Sequence, residues 1–209
     1  MPPVNYNGES KHCIIIWWDK GWKVMSKFTK KAIMYVFLEI LEEKSMDKIT
    51  VKDICERSEI NRNTFYYYFD NVQDVLCSVF EMEKKMVLKE VGENDSFLEE
   101  YKKSAAIVIN NKKAIFNIYE SKSGDILRNY FNAVTMSFVK RAVEKAANGY
   151  SISEENINYI SHFYTNAICG TTMKWIEKGM PPYKEDFLEK VSKSYEATIK
   201  DLLEMFDGK

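Results

Sequence analysis

No proline occurs between Pro3 and Pro181, and the 209 residues contain only eight glycines. Proline removes a helical hydrogen bond and glycine weakens a helix by about 1 kcal/mol, so a long stretch nearly free of both offers little to interrupt helices. The breakers that do occur are clustered: GEND (Gly92 to Asp95), SKSG (Ser121 to Gly124), NGYS (Asn148 to Ser151) and GMPP (Gly179 to Pro182). Short turns at these points would join one helix to the next. Apolar residues between them recur at the three-four spacing of a helix face, as in Val72, Val75, Leu76, Val79, Phe80, Met86 and Val87. Ile157, Ile160, Tyr164, Ile168, Thr171 and Trp175 repeat the pattern, and no alternating strand pattern of useful length competes.

Start signals sharpen the boundaries. Thr50 with Asp53, Asp70 with Gln73, and Ser151 with Glu154 each pair a capping residue with an acid or amide three positions on. The chain is therefore expected to be all-α, with about nine helices at 28–44, 50–57, 61–68, 71–91, 96–110, 112–120, 124–147, 152–178 and 184–206.

Composition excludes more than it selects. Thirty Lys and Arg against 31 Asp and Glu give a formal charge of -1, so a nucleic-acid site would have to be local. Cys13, Cys55, Cys77 and Cys169 form no C-x-x-C pair, and only His12 and His162 could add imidazoles, which points to a reducing cytoplasm and no metal or other cofactor. No run reaches the roughly 18 to 20 apolar residues of a membrane span. Nucleophile elbow, phosphate loop and metal-ligand spacings are missing, so catalysis is not expected.

Residues 1–25 carry no period, hold three tryptophans (Trp17, Trp18 and Trp22), and give way to helical patterning straight after Met25. Two expectations stand for this segment. Codons for Lys20 to Val24 can form a purine-rich run resembling a ribosome-binding site, which would place the true start at Met25; otherwise this is an extension whose apolar patch docks on the body or on a second subunit.

Within INRNTFYYYFDN (Ile60 to Asn71) five aromatic residues stand in a row. At about 100° per residue they span more than a full helical turn, so they cannot all face one core. Two short helices flank SEI (Ser58 to Ile60), too short a link for anything but a tight bend, which is the helix-turn-helix layout. Asn61 would cap the second helix, and Arg62, Asn63 and Thr64 would meet base edges and phosphates. Phe65 and Phe69, four apart, would hold the helix on its core, leaving Tyr66, Tyr67 and Tyr68 for the DNA backbone. Lys48, Thr50 and Lys52 before the bend, and Lys27, Lys30 and Lys31 at the first helix, would add phosphate contacts. An aromatic cluster buried under a neighbouring helix is the alternative.

KITVKDICERSEINRNTFYYYFDNVQDVL (Lys48 to Leu76) resembles the N-terminal domain of the TetR family of bacterial transcription regulators. With FYTNAICGTTMKWIEKGMPP (Phe163 to Pro182), it is more narrowly similar to the branch containing the dihydroxyacetone-kinase operon regulators. Two positions depart from the family pattern: Glu59 stands where the turn usually has Gly, and Val72 where a Lys often opens the fourth helix. A side chain at Glu59 would be left-handed at a cost of about 1 kcal/mol and would carry a charge that phosphates repel.

The resemblance implies a three-helix DNA-binding domain over 26–70 and a helical effector-binding and dimerisation domain over 71–209. The last helix independently shows an apolar stripe, Phe187, Val191, Tyr195, Ile199, Leu202, Leu203 and Phe206, which needs a partner. With Ala167, Gly170 and Thr171, small enough to admit a neighbouring helix, it would form a four-helix dimer interface; an intramolecular core is the other use for such a stripe. Tyr101, Phe116, Tyr119, Tyr130, Phe131, His162, Tyr164 and Trp175 are candidate walls for a small-molecule effector, or alternatively a plain aromatic core. The expected function is sequence-specific binding of double-stranded DNA by a homodimer at a palindromic operator, with repression favoured over activation. The alternative is a degenerate member that acts mainly as a protein-interaction module.

Overall fold

The structure, a computed structural model, describes residues 28–90, 96–181 and 187–208. The tryptophan-rich segment before Met25 and Lys27 lie outside these described residues. Among them the chain forms nine α-helices and one 3-10 turn, with no strand. The helices are α1 (Phe28–Glu43), α2 (Val51–Arg57), α3 (Arg62–Tyr68), α4 (Val72–Glu90), α5 (Phe97–Asn110), α6 (Lys112–Tyr119), α7 (Gly124–Ala146), α8 (Glu154–Glu177) and α9 (Phe187–Met205), with the 3-10 turn at Met46–Lys48.

Capping fixes several of these ends. Thr50 and Asp53 form the expected reciprocal box: the Asp53 N–H donates to Thr50 Oγ1 at 3.1 Å and the Thr50 N–H to Asp53 Oδ2 at 2.8 Å. The other two expected caps move. α4 is capped by Asn71, whose Oδ1 accepts the Asp74 N–H at 3.0 Å, in place of the Asp70 and Gln73 pair. α8 is capped by Ser153, whose Oγ accepts the Asn156 N–H at 3.2 Å, while the Ser151 N–H donates to Asp207 Oδ1 at 2.8 Å and ties the helix start to the chain end.

Two apolar cores stack along the molecule. The first surrounds Phe37 and Leu41 of α1 and takes in Phe65, Phe69, Leu76, Ile118, Leu127 and Ile176, all nearly without solvent contact. Each such side chain contributes roughly 1.5 to 3 kcal/mol by leaving water. The second lies at the far end, where Phe97, Phe138, Tyr164, Tyr195 and Leu203 pack α5, α7, α8 and α9 together. The first core runs straight across residue 70, from α1 to α3 into α4, α6, α7 and α8. Polar ties follow the same route: Asn117 on α6 donates to the Leu41 carbonyl at 2.7 Å, one of the last-turn carbonyls without a helical partner, and the Lys122 N–H donates to the Asp47 carboxylate at 3.2 Å.

α7 and α8 form the longest helix pair. The buried face of α8 turns along its length: Ile160, Tyr164 and Ile168 point into the second core, whereas Cys169, Met173 and Ile176 point into the first. This rotation puts Thr171, expected within the apolar stripe, on the exposed side. Gly179, at a φ of 78°, ends the helix, and the Met180 N–H returns to the Trp175 carbonyl at 3.1 Å.

The bend between α2 and α3 is built on a left-handed residue that is not glycine. Glu59 has a φ of 54°, and the Ile60 N–H closes back on the Cys55 carbonyl at 3.0 Å. Because that conformation strains any residue with a Cβ, Glu59→Gly should stabilise the chain by about 1 kcal/mol. Thermal unfolding should then rise by roughly 2 to 4 °C, and a lower midpoint would contradict the strain.

Candidate nucleic-acid interface

α3 is held by its ends and by two rings. Asn61 Oδ1 accepts the Thr64 N–H at 2.8 Å and the Thr64 hydroxyl at 3.1 Å, so its oxygen is committed to the cap and its amide NH2 remains for an outside acceptor. Phe65 is fully buried and Phe69 is 2% exposed, with ring centroids 5.9 Å apart. Four residues apart on one helix, they lie on the same side. Rotation then leaves Tyr66 at 54% and Tyr67 at 80% exposure beside the exposed side chains of Arg62 and Asn63. Tyr68 divides differently from its neighbours: it is half-buried against the first core, with its ring edge on Tyr67 at 4.8 Å.

Around this helix the cations are few and local. Lys48 and Lys52 are exposed on either side of the α2 cap, and Lys52 makes an exposed pair with Glu56 at 3.6 Å that costs little to open. The Lys30 ammonium sits 4.9 Å from the centre of the Phe69 ring. Thr50 is less available than expected from the sequence, because its hydroxyl donates to Asp53 Oδ2 at 2.7 Å. Glu59 is exposed at the bend. Val72, in the place of the expected lysine, is half-buried and packs on the first core.

Asp53 fixes the approach of α2. Lys44, at the end of α1, reaches its Oδ2 at 2.9 Å, and that ammonium together with the Thr50 hydroxyl and N–H holds the Asp53 carboxyl down at about 2. A carboxylate whose folded pKa is depressed supports the fold above its unfolded value of about 3.9 and loses that support as pH falls toward 2. Between those limits the urea midpoint of the wild-type chain should drop more steeply than that of Asp53→Asn. Parallel slopes would show that Asp53 carries no such linkage.

A cavity of about 40 Å3 opens between α5, α7 and α8, where the two cores meet. Tyr101, Tyr130, Phe131 and Trp175 of the expected effector walls do line it. The other four lie elsewhere: Phe116 is half-buried on α6, Tyr119 packs on the first core, His162 is exposed on α8, and Tyr164 shares a 2.8 Å hydrogen bond with Thr198. Ser104, Thr135, Thr172 and Cys169 also line it. Single polar residues within helix faces give no signal in the sequence until it is known which helices cross.

The expected dimer residues separate into two groups. Tyr195 and Ile199 are buried inside the single chain, Tyr195 stacked on Phe97 with centroids 4.3 Å apart, and Val191 and Leu202 are half-buried against the same core. Tyr195, Ile199 and Leu203 of the α9 stripe thus pack within the chain, while Val191, Leu202 and Phe206 stay half-buried. Ala167, Gly170 and Thr171 face outward on α8, on the same side as exposed Tyr159 and Phe163. A Cβ added at Gly170 would meet nothing within 4 Å.

A capped recognition-type helix pinned by two phenylalanines, ahead of a helical body with its own core, defines a helix-turn-helix regulator. The comparisons agree. Residues 37–77 match the model for bacterial regulatory proteins of the tetR family, and residues 95–196 match a transcriptional regulator C-terminal region of the same family. The chain belongs to the TetR family. It is 36% identical over 56 residues to the HTH-type dhaKLM operon transcriptional activator DhaS of Lactococcus lactis subsp. lactis (strain IL1403), a match covering 27% of this chain and 30% of that protein. The chain therefore spans under a third of that relative by sequence. Among solved structures, a dihydroxyacetone kinase operon activator DhaS superposes over 88% of this chain and 100% of its own, with a TM-score of 0.65 at 20% identity. A TetR-family regulator from Syntrophomonas wolfei gives 0.63 at 19% identity over 84% and 97% of the two chains. Salmonella enterica GusR gives 0.57 at 12% identity over 87% and 98%. At such identities the structural likenesses speak for the fold.

Proposed function

We propose that the chain is a sequence-specific, DNA-binding transcription regulator of the cytoplasm that acts as a homodimer and is switched by a small molecule. The observation that carries this reading is α3, whose exposed side offers Arg62 and Asn63 in its first turn and Tyr66 and Tyr67 behind them while Phe65 and Phe69 hold it in place. Arg62 and Asn63 suit base edges in the major groove, and the two tyrosines suit phosphate and sugar. Lys48 and Lys52 add local positive charge, which a chain of net charge -1 does not supply globally.

A second copy is supported by where exposed apolar residues lie. Among the described residues the large exposed hydrophobics are Tyr66 and Tyr67 on α3, and Tyr159, Phe163 and Met205 on α8 and α9. The second group, with Ala167, Gly170 and Thr171, forms a face suited to a two-fold four-helix contact, which sets two α3 helices near 34 to 36 Å apart on a palindromic operator. The expectation of repression meets a relative whose name carries "activator"; the sign of control follows from where the operator lies. A protein-interaction module is the second reading, favoured by the exposed Glu59 carboxylate and the core-facing Val72.

On the promoter beside its own gene, a mobility shift at two salt concentrations should show a steep salt slope. Arg62→Ala should cost about 1 to 3 kcal/mol and blunt sequence preference, whereas Tyr66→Phe should weaken all sequences alike by about 1 kcal/mol. No specific shift at low salt would favour the interaction module. Gly170→Leu, placed in open space within the chain, should leave the fold intact and yield a monomer in sedimentation; a dimer of unchanged affinity would put the interface elsewhere.

A further inference from the structure

We propose that the cavity between α5, α7 and α8 takes a small uncharged molecule with an apolar body and one hydroxyl or carbonyl oxygen, held by a hydrogen bond to the Tyr101 hydroxyl. This inference rests on the effector reading above and names the chemistry of that site. Its first ground is the wall itself: among the described residues no Lys, Arg, His, Asp or Glu lines the cavity, so a carboxylate, phosphate or ammonium entering it would meet no counter-charge from them. Its second ground is Tyr101. The residue is 4% exposed and lines the cavity, and its hydroxyl, with Thr172 as its polar neighbour, closes no hydrogen bond of good geometry. A buried hydroxyl without a partner is costly, and most such groups in native proteins are matched by something.

The surroundings set the rest of the ligand. Ala105, Val108, Phe131, Val134, Phe138 and Ile168 supply apolar contact, so a polyol would leave several of its own hydroxyls unmatched. Thr172 faces Tyr101 from α8 and partly offsets the rise that burial causes, which takes the phenol up to about 12 and keeps it protonated, able both to donate and to accept. On the α4 side, the charge of Glu83 adds to burial in raising the Tyr130 phenol, and the same charge would repel an anion. At about 40 Å3 the cavity holds roughly three water-sized groups, which suits a short-chain alcohol, ketone or aldehyde. Position adds a consequence. Val108, Phe131 and Cys169 belong to the first core, and Tyr101, Phe138 and Ile168 to the second, so an occupant fills the seam between the body and the core that carries α3.

The test uses four probes of four non-hydrogen atoms each, 2-propanol, acetone, acetate and isopropylammonium, titrated into the full chain and followed by amide NMR shifts. 2-Propanol and acetone should produce saturating shifts confined to α5, α7 and α8 around Tyr101, and the two ions should not. Tyr101→Phe should weaken 2-propanol roughly two- to tenfold, the factor for one neutral hydrogen bond. It should change the unfolding midpoint little, since the lost hydroxyl has only Thr172 beside it and closes no hydrogen bond of good geometry; a purely structural tyrosine would behave in the opposite way on both counts. Acetate binding as tightly as 2-propanol, wild-type affinity in Tyr101→Phe, or no localised shift with either neutral probe overturns the proposal. A parallel mobility shift separates the two readings: specific DNA binding without binding of the neutral probes overturns the ligand class alone. Localised neutral-probe binding without any specific DNA shift upholds the cavity chemistry and sinks the regulator.

Discussion

Everything presented at the surface of α3 depends on the burial of Phe65 and Phe69 in the first core. A seven-residue helix is far too short to stand alone in water, so its orientation is set by what its rings are driven into. Two fully or almost fully buried phenyl rings outweigh the strain of a left-handed Glu59 at the preceding bend by several kcal/mol. The bend can therefore be made from a residue poorly suited to it. Once those rings are fixed, helical rotation alone decides that Arg62, Asn63, Tyr66 and Tyr67 face outward.

The same core joins α3 to the rest of the chain. The apolar cluster under it continues through α6 to Leu127, Phe131 and Ile176, and polar ties from Asn117 to Leu41 and from Lys122 to Asp47 run beside it. A tightly packed cluster transmits a displacement where a flexible linker would absorb it. The cavity beside Tyr101 is the local gap in this arrangement and lies where the two cores join. α8 is the element that serves both, by turning its buried face along its length, and its outward side is thereby left with Phe163, Ala167, Gly170 and Thr171.

How far the chain could be read in advance varied with the range of the interaction. Helix positions rest on periodicity, breakers and caps, all encoded within a few residues, and the helices found lie inside the expected spans. The left-handed Glu59 was expected from the resemblance, because the family usually has Gly at that turn, and its φ is 54°. The caps at Asn71 and Ser153 shifted because adjacent residues with similar oxygens compete, and tertiary ties such as Ser151 to Asp207 decide between them. Tyr68 resisted the reading because which flank of α3 is covered depends on the helix that crosses it.

The sequence by itself determined an all-helical chain, the helix-turn-helix bend and which two of five aromatic rings anchor α3, because spacing along a helix fixes direction without reference to distant partners. Only the tertiary structure decided that Tyr195 of the α9 stripe stacks on Phe97 within the chain, and that Tyr164 and His162 stand away from the cavity that Tyr101 and Trp175 share. An apolar stripe states that burial is required. Which surface supplies it is settled by how the helices pack, and that rests on contacts far apart in the chain.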